Sequence, residues 1–165
     1  MTKRVLLFGH PLHPITVHLP IGLLVTTTVW DILGLVRPEP FWWQLAFWTL
    51  AAGLATALFA AITGLFDLLS MAPRHPAVPT ALRHLVSMLL AVTLYGGSFL
   101  FRVTSLPGVT NNRAVAVGLG WLGLLALLYG GLQGGRLVYE AGVGTRFESP
   151  ASGERAAEHE RRPAA

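Results

Sequence analysis

The chain has 165 residues, 53% hydrophobic and only 12% charged, about half the charged share of a soluble domain; its long apolar runs identify the missing solvent as lipid. The net charge of +4 does not point to nucleic acid, because Lys and Arg flank the apolar runs, where they set orientation and meet anionic headgroups. The absence of cysteine excludes disulfides, thiolate metal sites and Cys-ligated iron–sulfur clusters.

Residues 1–4 are basic, but 5–8 are too few for the apolar core of a signal peptide, and Gly9-His10-Pro11 breaks the apolar stretch there. The run from 15 to 36 reads as a retained first span. Pro14 suits a first helical position. Pro20 lies inside the span and leaves the Thr16 carbonyl without its usual partner. Arg37-Pro38-Glu39-Pro40 is a turn. A second span is expected over 41–69, opened by the aromatic belt Phe41-Trp42-Trp43 and rich in small residues that permit close helix approach. Pro73, Pro76 and Pro79 break the chain before a third span at 82–101. Pro107-Gly108 and Asn111-Asn112 mark a loop. The fourth span, 114–137, carries two overlapping small-xxx-small pairs, Gly130/Gly134 and Gly131/Gly135; the Gly130/Gly134 face is a candidate for homo-oligomer contact. The polar segment 140–165 reads as a disordered tail or short surface helix.

The predicted fold is therefore all-α: an integral-membrane four-helix bundle, with a His/Pro-rich segment over 1–13, spans within 14–139 and a tail over 140–165. An even number of spans puts both termini on one side, together with the loop between the second and third. Lys3, Arg4, Arg74, Arg83, Arg136 and Arg146 lie on that side, against Arg37, Arg102 and Arg113 on the other. The excess predicts cytoplasmic N and C termini and a multi-pass protein of the cell (inner) membrane.

This topology gathers five histidines and a carboxylate at one end. His18 is expected about 6 Å deep, Asp67 and His84 about 3 Å deep, at 1.5 Å per residue, with His10, His13 and His75 just outside. Polar residues retained in spans usually face the bundle interior and take part in function. The cluster admits three readings. Haem b would need two imidazoles on facing helices at matching depth; His18 and His84 meet that description, with His13 and Asp67 nearby and Arg83 placed for a propionate. Alternatively, His10, His13, His18 and His84 offer nitrogen ligands for another metal or a proton relay. His13 and His18, five apart, stand about 140° apart on an ideal helix and share no face unless Pro14 breaks the path. The third reading is structural: Asp67 pairs with Arg83, and the histidines satisfy freed carbonyls. Asp31 is expected to be an interfacial charge meeting Arg37, Arg102 or Arg113.

Gly9-His10-Pro11-Leu12-His13-Pro14, His18-Leu19-Pro20-Ile21-Gly22, Gly64-x-x-Asp67 and His84 together resemble a family of bacterial four-helix membrane proteins labelled domain of unknown function 2231. The resemblance spans about 9–139. Some family members are joined to a Rieske iron–sulfur domain, which implies a redox setting. This chain has no such domain, so a redox partner would be a separate protein. The leading expectation is a small electron-transfer protein rather than an enzyme, with haem between His18 and His84. The alternative is a membrane module whose polar cluster binds another metal, passes protons or fixes packing. The lipid bilayer is the expected partner in every case, and nucleic acid in none.

Overall fold

The computed structural model describes residues 6–8, 10–103 and 112–145. Leu6–Leu7 (β1) pairs antiparallel with His10–Pro11 (β2) in a two-residue ladder. Next in the chain are five helices: α1 Leu12–Thr16, α2 His18–Val36, α3 Pro40–Leu69, α4 Val78–Arg102 and α5 Arg113–Tyr139. α1 and α2 form one apolar span, Leu12–Val36, and with α3, α4 and α5 make four helices long and apolar enough to cross a membrane. The break at Val17 has a local cause: Pro20 has no N–H for the Thr16 carbonyl. The path hardly deviates, because Val17 itself is helical in φ and ψ, and bonds from Val17 to His13 and from Ile21 to Val17 carry the ladder across.

The 30 residues of α3 measure about 45 Å at 1.5 Å per residue, more than the roughly 30 Å of hydrocarbon in a bilayer. The observed spans extend the expected ones by one to four residues at most ends. α4 differs most: it starts at Val78 rather than near Leu82, because Pro79 stands in the first turn, where a missing N–H costs nothing.

α2 packs chiefly on α3 and α4 chiefly on α5, and the two antiparallel pairs lie side by side. Their shared core is Leu24, Leu50, Ala91, Tyr95 and Leu127, backed by Leu54, Met88, Phe99 and Leu124. Leu19, Val29, Leu58, Ile62, Leu89, Leu125 and Leu132 point outward. An apolar exterior around an interior that holds Asp31, Arg102 and Gln133 reverses the soluble pattern and suits lipid.

Small residues set the helix spacing. A Cβ on Gly34 would lie 2.8 Å from the Trp43 ring, so Trp43 is buried in the α2–α3 seam; of the expected belt Phe41 is exposed and Trp42 half-buried. Gly130 and Gly134 meet Met88 and His84 of α4. The face expected to bind a second copy is thus consumed inside the chain, while Gly131 and Gly135 have nothing within 4 Å of a built Cβ. The tail expected over 140–165 is described only to Thr145, where Val143 N–H bonds back to Leu137. Most of the loop between α4 and α5 lies outside the described residues.

Candidate functional site

The end of the bundle where α1 begins, α3 ends, α4 begins and α5 ends is its polar end. His13 is half-buried on α1. Its Nδ1 lies 2.9 Å from the Ala60 carbonyl and 3.3 Å from the Thr63 hydroxyl, both on α3. Thr63 donates its own proton to Ala60 and touches the Thr16 hydroxyl at 3.3 Å. The ring lies over Gly64, where a Cβ would come within 2.7 Å of Cε1. Glycine at that position is what lets the imidazole enter the α1–α3 seam.

His84 enters from the opposite pair. Its Nδ1 is 2.8 Å from the Gly130 carbonyl of α5, and its ring packs on Gly134 at 3.2 Å from a built Cβ. Six residues past Val78, it sits about 9 Å along α4, deeper than expected because the helix starts earlier. The two rings meet edge to face, with centroids 6.2 Å apart and planes at 77°.

A carbonyl oxygen can only accept, so Nδ1 of each histidine carries the hydrogen. In the neutral ring, Nε2 then holds a lone pair. No hydrogen bond among the described residues engages either Nε2. Asp67 stands one turn beyond Thr63 on α3, at the same end of the bundle as the two rings.

The remaining expected residues are placed differently. His18 is exposed, and among the described residues its Nδ1 meets the Ile15 carbonyl alone, at 3.4 Å. The helical path through Val17 leaves five residues of rotation between His13 and His18, about 140°, so one ring turns inward and the other to lipid. The pair the fold brings together is His13 with His84, not His18 with His84. Arg83 is exposed on the outward face of α4. His75 accepts the Ala77 N–H at 3.1 Å and shapes the turn before α4. The His10 side chain and His159 lie outside the described residues.

Haem fits this arrangement poorly. A macrocycle needs a slot between its axial imidazoles, whereas here the His13 ring lies over Gly64 and the His84 ring sets an edge against Gly134. The 6.2 Å between ring centroids is slightly more than the separation of about 5–6 Å between two imidazoles that share one ion.

At the opposite end Asp31 is not an interfacial charge but 1% exposed, clamped by Arg102 through two 2.7 Å bonds. Sequence reasoning named Arg102 among three partners and missed the burial. It also missed Thr63 and Gln133. Gln133 was legible as the one long polar side chain inside the glycine-rich run of α5, and it is 2% exposed.

Neither curated proteins nor solved structures offer a match to this chain. A family model described as "Predicted membrane protein (DUF2231)" matches residues 9–146, and with four apolar helices of spanning length over that same stretch, the chain belongs to this family of membrane proteins.

Proposed function

We propose that this membrane protein binds one first-row transition-metal cation between Nε2 of His13 and Nε2 of His84. One observation carries the reading: both Nδ1 atoms donate to main-chain carbonyls, at 2.9 and 2.8 Å. Metal-ligating histidines almost always spend their second nitrogen this way, which fixes the tautomer and orients the ring. Imidazole suits zinc, copper, nickel and iron, and the Asp67 carboxylate offsets part of the charge such an ion brings into a low-dielectric site. The packing of both rings on glycine favours a bare ion over haem. The excess of Lys and Arg at this end supports a position just beneath the cytoplasmic leaflet of the cell membrane, with a separate redox partner only if the ion cycles between oxidation states.

The test is a titration of the purified, metal-free chain in lipid nanodiscs with Co(II), read by visible absorption. One equivalent should bind to the wild type and to His18→Ala, and none to His13→Ala or His84→Ala. A protein that takes up no metal, or that loses it with His18→Ala alone, overturns the reading. A Soret band in the preparation, lost in His18→Ala, would return the haem pair to first place.

A further inference from the structure

Two imidazoles do not complete a metal's coordination, and among the described residues no third His, Cys, Asp or Glu joins His13 and His84. α5 supplies a donor of another kind. Gln133 stands in sequence between Gly130, whose carbonyl accepts the hydrogen bond of His84 Nδ1–H, and Gly134, against which the His84 ring packs. It continues the inward stripe of Gly120, Gly123, Leu127 and Gly130. It is 2% exposed, and its Oε1 is sealed from solvent with no hydrogen-bond partner among the described residues.

That loneliness is expensive. A buried acceptor left unserved keeps its full desolvation penalty, and within a bilayer no bulk water relieves it. Polar atoms left unpaired in a buried position call for an explanation such as an unseen ion or water. The chemistry of the neighbours narrows the choice. Nε2 of His13, Nε2 of His84 and Oε1 of Gln133 are all electron-pair donors. One water has two hydrogens and would leave a lone pair unserved; a cation held by the two imidazoles would serve the Gln133 oxygen as well.

Resting on the two-imidazole reading, we infer that Gln133 is the oxygen ligand that completes a His13–His84–Gln133 site for a divalent transition-metal ion. The ligand set is neutral, with Asp67 as its counter-charge. Gly131 and Gly135, on the outward side of the same turns, play no part.

Co(II) titration in nanodiscs tests this with Gln133→Leu, Gln133→Glu and the two histidine variants, with helicity and elution volume as fold controls. Gln133→Leu should weaken binding about tenfold or more and shift the visible bands. Gln133→Glu, which keeps an oxygen and adds charge, should bind at least as tightly as the wild type. Wild-type affinity in folded Gln133→Leu, with binding still lost in His84→Ala, overturns the role of Gln133 and leaves the imidazole pair standing. A wild type that binds no metal overturns both. Should Gln133→Leu fail to fold, Gln133→Glu decides alone: a Co(II) spectrum and an affinity both unchanged from wild type remove Gln133 from the site.

Discussion

Arg102 of α4 grips Asp31 of α2 with both terminal nitrogens, NH1 on Oδ1 and NH2 on Oδ2, each at 2.7 Å. The side chains are 1% and 2% exposed. Ser98 accepts from Arg102 and donates to the Ala116 carbonyl of α5 at 2.6 Å, so one network ties three helices together. Buried pairs contribute little over an apolar pair of the same shape, but removing one partner strands a charge at about 3–5 kcal/mol. Asp31→Leu and Arg102→Leu should each lower the unfolding free energy in detergent by that order. The double variant should be more stable than either single one. Additive losses, read from the double-mutant cycle, would show that the two residues do not act as a pair.

Gly64 controls the polar end through a different force. A methyl at its Cα would sit 2.7 Å from Cε1 of His13, too close for any real contact, so the ring must swing out of the seam and lose its bond to Ala60. Gly64→Ala should therefore cut metal affinity about tenfold or more while the helices stay formed. Gly96→Ala, with open space around the new methyl, is the matched control. Equal affinities in the two variants would mean that the ring position does not set binding.

Four spans were legible because each is a run of apolar residues ended by Pro, Gly or Arg, and lipid imposes helix on any such run. The polar end was legible too, since span direction alone carries His13, Asp67 and His84 to one side. The choice between His13 and His18 was not. It turns on whether the chain stays helical past Pro14 and Pro20, and on a glycine 51 residues away from His13 that opens a slot for one ring. Burial of Asp31 was hidden for a related reason: α4 runs to Arg102, and only tertiary packing shows that this last residue folds inward.

The two small-residue pairs of α5 have opposite fates. Gly130 faces Met88 and Ser87 of α4, with a built Cβ in collision with the Met88 methyl, whereas Gly131 faces outward into open space. Gly130→Val should prise α4 from α5 and destabilise the chain by about 1–3 kcal/mol, the cost of overpacking a seated interface. Gly131→Val should leave the unfolding midpoint within about 0.5 kcal/mol of wild type. Thermal unfolding of both in one detergent compares them directly. Equal losses would mean that the two faces are packed alike.

By sequence, six basic residues near span ends are expected on the side of the histidine pair, against three on the other; since cytoplasmic flanks retain such an excess, the pair is predicted to face the cytoplasmic leaflet. The lack of cysteine makes single-cysteine mapping direct. Pro73 lies in the exposed connection before α4, on the histidine side, and Glu39 in the exposed turn before α3, on the other. In intact bacterial spheroplasts a membrane-impermeant maleimide should label Glu39→Cys at once and Pro73→Cys only after permeabilisation. The reverse order would put the histidine pair, and any ion it holds, at the outer surface, where the metal would come from the medium rather than the cytoplasm.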